Sequence, residues 1–338
     1  MDKSKLQSGF IPFLKSELAS WPMADENFTR IRNSVADGRR STITPAGSPW
    51  RVDKMLVNHR RASITAKTDA SSVSQRPCFL CASNRPPNQS SMPFGSAYEI
   101  LINPFPLAEI HFTVPSVSHE PQILDPNGQR IMDMAHLAED MAGLCVFFNG
   151  ATCGASAPDH FHFQAVSPDA VPNIKNDDLT GAELLTFDHA AIYAADDTVV
   201  PYPVFIIQST SGESLRQAFR RLWAALCLTA TDQTDPSVNI AMLHDPDNGI
   251  TRTAIIPRRC HRPECYFSET DKMLISPATI EMLGTIVCSR PDDFDRLDME
   301  TAVNILREVA ISPDDFKEII RQLTHVTATD HVQEQMNL

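Results

Sequence analysis

The sequence predicts an α+β chain made of two halves. Three observations point there: the 338-residue length, short β-like runs beside helical stripes in both parts of the chain, and one internal echo. Single hydrophobic cores stop growing at roughly 250–300 residues, so two domains or two half-domains are expected. The echo sets Val114-Pro115-Ser116-Val117-Ser118-His119-Glu120-Pro121 beside Ile256-Pro257-Arg258-Arg259-Cys260-His261-Arg262-Pro263. Both fit apolar-Pro-x-x-x-His-x-Pro, which suggests two copies of one α+β unit.

Residues 1–49 are mixed and polar and read as an N-terminal extension that closes in the loop Gly47-Ser48-Pro49. A first half follows over residues 50–170, with β-like runs at Tyr98–Ile102 and Ile110–Val114. Asp125-Pro126 puts a cap residue before a proline at the first helical position. The stripe Ile131, Met134, Ala138, Met141 and Cys145 then has helical spacing, and Asn149-Gly150 is expected to end that helix. His160–Val166 alternates instead. In a strand His160, His162 and Gln164 share one face, while Phe161, Phe163 and Ala165 take the other. Two imidazoles and an amide on one face are an expensive choice for packing alone.

Residues 171–326 form the second half, entered through an Asp- and Pro-rich excursion over 167–200. The apolar run Val204–Ile207 opens it. Thr210 and Glu213 stand at capping-box spacing before a stripe of Leu215, Phe219, Leu222 and Leu226. Strand-like runs at Val238–Leu243 and Thr253–Ile256 and a late helix near Met299–Val309 follow. Residues 327–338 are a polar tail.

The balance of 29 Lys+Arg against 42 Asp+Glu leaves −13. That field repels polyanions, so general nucleic-acid binding is not expected, although a small phosphate pocket is compatible with it. No apolar run approaches the roughly 20 residues of a membrane helix. Lys3, Lys5, Lys15 and Glu17 stand where a signal peptide needs its apolar stretch. The expectation is a soluble cytoplasmic protein whose eight cysteines are thiols or metal ligands.

Cys78-Phe79-Leu80-Cys81 is the first chemical cluster. Two thiolates at this spacing grip a tetrahedral zinc if two more ligands arrive, and His111, His119 and His160 are the candidate suppliers. A redox pair would want a thioredoxin-like βαβ unit, which is not evident; two incidental thiols are the remaining reading. The second cluster runs from Asn149 through Gly154-Ala155-Ser156 to His160-Phe161-His162-Phe163-Gln164. Its small-residue loop lets backbone N–H groups approach a phosphate. A neutral imidazole beside it is a nucleophile for phosphorus, and Ser156, Asn149 and Gln164 can donate to the charged oxygens. A strand whose histidines only bind metal is the plainer reading. Arg60 and Arg61, read on an early strand, are candidates to reach a nucleotide; Arg258, Arg259 and Arg262 could meet phosphate but read first as a solvated charged face, and His261 as a relic of duplication.

Cys78-Phe79-Leu80-Cys81-Ala82-Ser83-Asn84, Ile102-Asn103-Pro104-Phe105, His119, and Gly154-Ala155-Ser156 leading into His160-Phe161-His162-Phe163-Gln164 occur in an order that resembles galactose-1-phosphate uridylyltransferase of the histidine-triad superfamily. The stretch Ile275–Gly284 is closer to the GDP-hexose phosphorylase branch. The resemblance covers residues 50–166 well and 250–295 more loosely. It implies two histidine-triad-like halves with antiparallel sheets and packed helices, the second half degenerate.

By position it implies Cys78, Cys81, His119 and His160 as ligands of a structural zinc, and His162 as nucleophile. Gln164 and Ser156 would act at the phosphate, Asn149 near the phosphates and Asn103 near the nucleoside; His111 stays structural. The implied enzyme is a nucleotidyltransferase passing a nucleoside monophosphate from a nucleotide sugar to a hexose 1-phosphate or inorganic phosphate through nucleotidyl-histidine, and a homodimer is a reasonable guess. A dinucleoside polyphosphate phosphorylase or hydrolase would use the same histidine; a substrate panel separates the two. A non-enzymatic nucleotide-binding protein would bind without a covalent species. Asp159 lengthens the turn before the histidines, and Phe161 and Phe163 replace a proline and a small residue. These departures suggest a reshaped pocket and weaken transfer of uridine specificity. No His/Glu set matches the second metal site of some uridylyltransferases.

Overall fold

Strand alternation decides which side chains meet the helices and which meet the cavity. A computed structural model describes residues 5–65, 70–196, 200–230 and 235–325; the polar tail over 327–338 lies outside them. The strands are β1 (Arg40–Thr42), β2 (Asp53–Leu56), β3 (Met92–Phe94), β4 (Tyr98–Ile102), β5 (His111–Pro115), β6 (Cys145–Asn149), β7 (His162–Val166), β8 (Ala182–Phe187), β9 (Ala190–Ala195), β10 (Val204–Ser209), β11 (Val238–Asp245), β12 (Ile250–Pro257) and β13 (Thr285–Cys288). Ten of them make one antiparallel sheet in the order β3-β4-β5-β7-β6-β11-β12-β10-β9-β8, and β1-β2-β13 make a small separate sheet.

Read outward from the β6–β11 pair, both sides of the large sheet have the same plan. Each is five strands with a helix, Gln129–Asp140 or Gly212–Thr229, placed just before its central strand in the chain. The fold is therefore the two-half α+β arrangement expected. The register shows what the duplication kept. Phe147 lies opposite Ala241 at the centre. One strand out, Phe147 faces Gln164 and Ala241 faces Ala254. Gln164 thus corresponds to Ala254 and His162, two residues earlier, to Arg252, so the second half has no copy of the histidine strand. The echo noted in the sequence is not this symmetry. Val114-Pro115 ends β5 while Ile256-Pro257 ends β12, and those strands are not counterparts.

The two faces of the sheet carry different cores. Phe112, Phe148, Phe161, Phe163, Phe205 and Ile240 point to the helix-covered face and pack with Ile131, Met134, Leu215, Phe219, Leu222 and Leu226. Phe147, Val166, Val204, Ala241 and Ile256 point the other way, toward Val52, Met55, Ile286 and the helix Met299–Val309. The four helical-stripe residues read in the second half are buried as their spacing requires. The cap sits one residue past Thr210, on Ser211, whose side chain accepts from Ser214 N–H.

Several boundaries differ from the sequence reading. The helix after Asp125 ends at Asp140, and Cys145–Asn149 is a strand. Gly143 at φ 98° turns the chain, and Cys-Val-Phe-Phe-Asn favours a pleated, buried surface. Cys145 fitted a helical stripe only by coincidence of spacing. Asp125 nonetheless caps, because its carboxylate accepts from the N–H groups of Gln129 and Arg130. The first 49 residues carry helices Ile11–Ser20 and Pro22–Arg32, and Leu14, Trp21, Ala24 and Phe28 join the helix-side core. The excursion at 167–200 supplies the edge hairpin β8–β9. Arg60 sits on a 3-10 turn followed by a short helix from Arg61, not on a strand.

Candidate active site

The cavity opens on the sheet face away from the helices and encloses about 450 Å³. His162 and Gln164 from β7, Asn149 from β6, Asn103 after β4 and Ser156 from the loop all line it. His160 does not share their face, because β7 begins at His162 and the preceding turn takes the His160 ring into a neighbouring cluster. Phe161 and Phe163 also turn away, into the helix-side core. They do not reshape the pocket as the sequence comparison suggested; their rings pack edge to face at 4.9 Å, with the Arg130 guanidinium over Phe161 at 4.0 Å.

His162 is buried, and its Nδ1 lies 2.9 Å from the His160 carbonyl oxygen. A carbonyl only accepts, so Nδ1 carries the proton and Nε2 keeps its lone pair. Burial lowers the imidazole to about 4, with the charge of His160 adding to the fall and the carbonyl bond opposing it. The ring is therefore neutral at pH 7. Its backbone is held by Gln122, a fully buried residue that the sequence reading passed over. Gln122 Oε1 accepts from His162 N–H at 2.7 Å, and Nε2 donates to the carbonyls of Asn149 and His162, both at 3.0 Å. These bonds bridge the ends of β6 and β7, where the ladder between the strands has stopped at Phe147 and Gln164.

Gln164 is oriented by a relay of one-way bonds. Leu107 N–H donates to His111 Nδ1 at 3.0 Å. His111 Nε2 therefore bears the ring proton and donates to Gln164 Oε1 at 2.9 Å. Asn103 Nδ2 reaches the same oxygen at 3.4 Å. What Gln164 offers the cavity is its amide N–H groups. Burial lowers His111 to about 3, which keeps it neutral and the relay unbroken.

The small-residue loop has a steric reason. Gly154 lies at φ 116°, and a Cβ there would come within 2.5 Å of Ala278 Cβ. Arg76, also overlooked in the sequence, lines the cavity and donates to Ser156 O at 2.8 Å. Asp159, the extra residue of the turn, stands 4.0 Å from Arg76 Nη2 and 3.8 Å from His119 Nε2. Arg60, His261, Ser276 and Glu281 line the cavity too. Burial raises the Glu281 carboxyl to about 7, opposed by backbone N–H groups and by Arg60 and Arg258.

Cys78, Cys81, His119 and His160 place one donor atom each within 4.8 Å of one another. His160 Nδ1 is 3.3 Å from Cys78 Sγ and 3.5 Å from Cys81 Sγ, and His119 Nδ1 is 3.3 Å from Cys81 Sγ. His160 Nε2 meets Ser116 O at 2.9 Å, which fixes its proton there and leaves Nδ1 free to ligate. Burial opposes ionisation of Cys78, yet the His160 hydrogen bond and two backbone N–H groups outweigh it and bring the thiol down to about 6. Cys81 moves up, through burial and the neighbouring Cys78. The four residues can hold a metal ion; His111 lies on the cavity side and is not among them.

A two-half antiparallel sheet with His162 and Gln164 on one central strand, His160 in the turn before it and a Cys2His2 cluster alongside gives a histidine-triad-like fold. Residues 198–330 match the family described as GDPGP1-like, C-terminal domain, and residues 13–167 match DUF4922, a domain of unknown function. The yeast Ap4A phosphorylase Apa2 superposes with TM-score 0.53 in its AMP complex and 0.52 in its Ap4A complex. Both share 13% identity and cover 85% of this chain, against 96% and 97% of their own. A uridylyltransferase structure gives TM-score 0.37 and 12% identity over 69% of this chain and 88% of its own. No curated protein matches the sequence. The GDPGP1-like match over residues 198–330 and the likeness in fold to Apa2 together support a place in the histidine-triad-like superfamily of the galactose-1-phosphate uridylyltransferase and GDP-hexose phosphorylase type. No helix among the described residues is long and apolar enough to cross a membrane.

Proposed function

We propose that the protein is a nucleotidyltransferase that moves a nucleoside monophosphate from a nucleotide sugar to a hexose 1-phosphate or inorganic phosphate. The observation that carries this is the His162 tautomer: Nδ1–H is tied to the His160 carbonyl, so the unprotonated Nε2 is the ring nitrogen left for chemistry. Nε2 attacks the α-phosphorus of the donor. The N–P bond forms as the bond from phosphorus to the bridging oxygen breaks, and sugar 1-phosphate leaves with the electron pair. An oxygen of the acceptor phosphate then attacks the same phosphorus and returns His162 to its free form. Splitting the transfer in two lets one pocket serve both directions, with ping-pong kinetics. Gln164 and Asn149 aim amide donors at the oxygens that gain charge, beside the loop of Ser156, and Asn103 lies toward the nucleoside.

Zinc is the metal we assign to Cys78, Cys81, His119 and His160. Zn–S of about 2.3 Å and Zn–N of about 2.0–2.1 Å in a tetrahedron put S and N about 3.5 Å apart, close to the spacings found. Four protein ligands make it a closed, structural site. By fixing His160 they fix the carbonyl that sets the His162 tautomer.

A dinucleoside polyphosphate phosphorylase is the second reading, supported by the likeness in fold to the Ap4A phosphorylase over 85% of the chain. It shares the covalent step and differs in the leaving group. Cytoplasmic residence, with small phosphorylated substrates rather than nucleic acid as partners, agrees with the net charge of −13, and a homodimer belongs to the same reading.

The deciding experiment is intact mass after brief exposure to UDP-, GDP- and ADP-sugars and a dinucleoside tetraphosphate, without acceptor or acid, beside His162→Ala. An adduct of one nucleoside monophosphate, absent from the variant, is expected, and its mass identifies the base. If the folded, metal-loaded protein gives no adduct with any donor, covalent transfer is refuted.

A further inference from the structure

The second half of the chain lost its own histidine strand, yet it keeps an expensive feature directly behind the cavity. Arg258 is 4% exposed, and every acceptor it touches is neutral. Its Nε donates to Val309 O, Nη1 to Asn239 Oδ1 and Pro277 O, and Nη2 to the carbonyls of Cys260, His261 and Pro277. Among the described residues it forms no salt bridge. Guanidinium stays protonated in proteins, and a buried charge without a counter-ion is costly even when its hydrogen bonds are made. The solvated face read from the sequence is thus wrong for Arg258, whose charge is held in the interior.

The bonds leading away from Arg258 all run in one direction. Arginine has only donors, so Asn239 must present its oxygen to it and point its amide nitrogen elsewhere. Asn239 Nδ2 donates to Asn149 Oδ1 at 3.0 Å and to Cys153 O at 2.9 Å. Thr279 adds two more donors to the same Asn149 oxygen, its N–H at 3.0 Å and its hydroxyl at 2.6 Å. With that oxygen saturated, Asn149 has only N–H groups left for the cavity it lines. The Cys153 bond holds the segment just before Gly154 in the same network.

We propose that Arg258 and Asn239 are positioning residues of the phosphate site, forming a one-way hydrogen-bond relay from a buried cation in the second half to the Asn149 amide of the first. The relay rests on the nucleotidyl-transfer reading of the cavity and explains what the second half contributes to it. It mirrors the Leu107–His111–Gln164 relay on the other side of His162, so both amides beside the nucleophile are locked as donors. The guanidinium, which has Glu281 as a nearby acid but no ion pair with it, places positive potential beneath the site, and aligned donors strengthen one another in a low-dielectric interior. A chain of net charge −13 thereby keeps a local preference for phosphate.

The test is equilibrium binding by calorimetry to the metal-loaded full chain, without turnover. GMP, AMP and UMP are compared with guanosine, adenosine and uridine, in wild type and in Asn239→Asp. Aspartate keeps the shape and still accepts from Arg258, but gives no hydrogen to Asn149 or Cys153. The expected result is about tenfold weaker binding of the preferred mononucleotide, the scale of one hydrogen bond to a charged group, with the nucleoside unchanged. Arg258→Lys keeps a charge but loses the fork and should show the same split in milder form. Equal weakening of nucleotide and nucleoside means a merely structural role and overturns the proposal, as does no change in either. Wild type that yields the covalent adduct while Asn239→Asp binds normally refutes the relay alone; wild type that binds no mononucleotide refutes both readings.

Discussion

Replacing Gln122 with leucine removes three hydrogen bonds from fully buried backbone while nearly preserving volume. His162 N–H, His162 O and Asn149 O all lose a partner that now stands at 2.7–3.0 Å. Water has little access, since Gln122 is 0% exposed and Asn149 and His162 are buried. A buried polar group left unsatisfied costs ~1–3 kcal/mol, so three amount to ~3–5 kcal/mol after partial relaxation. That is a large share of a domain stability of about 5–15 kcal/mol. Urea unfolding of the metal-loaded protein, comparing midpoints at constant slope, measures it. A second signature accompanies the first: the nucleophile's backbone loosens, so adduct formation slows more than nucleotide affinity falls. A loss below about 1 kcal/mol would show that Asn149 and His162 pair by themselves, and the clamp assigned to Gln122 would be wrong.

Two further perturbations test the metal cluster and the buried histidine relay. Cys81→Ser removes one of four ligands, so metal content by elemental mass spectrometry should fall from one ion per chain toward none, with loss of thermal stability; full metal retention would discount the cluster. His111 has a folded pKa of about 3 against an ordinary value of 6.5. The unfolded state therefore takes up the extra proton between those values, and stability present above pH 6.5 is lost as pH falls toward 3. His111→Gln should reduce the acid slope of unfolding free energy by about 1.4 kcal/mol per pH unit, the value for one proton; an unchanged slope would mean His111 is accessible and charged.

Much of the local structure was legible because its signals are local. The Phe-His alternation fixed the faces of β7 from His162 onward, though not for His160, the stripe from Leu215 to Leu226 fixed a buried helix, and Met299–Val309 is helical at the bounds read. The N-terminal helices were missed because Trp21, Ala24 and Phe28 are spread among charges, and their burial depends on a sheet far along the chain. Cys145 was misassigned because five residues cannot distinguish a helical stripe from a short buried strand once a glycine turn intervenes. Residue type and order sufficed to name residues that the fold brings to the cavity and to the Cys/His cluster. Gln122, Asn239 and Arg76 escaped, since an isolated glutamine, asparagine or arginine carries no pattern, and Arg258 was noticed but read as part of a solvated face.

The sequence by itself determined the chemistry on offer: a Cys-x-x-Cys pair with histidines at hand, a small-residue loop, and a His-x-His-x-Gln run whose His162 and Gln164 share one strand face. Covalent spacing and strand alternation suffice for that, because they act between neighbours. Only the tertiary structure decided the direction of each hydrogen bond. The His160 carbonyl selects the His162 tautomer, His111 turns Gln164, and Asn239 with Thr279 turns Asn149. A side-chain amide or imidazole can face either way until partners brought from distant parts of the chain fix it, and here those partners are donors and acceptors that cannot exchange roles.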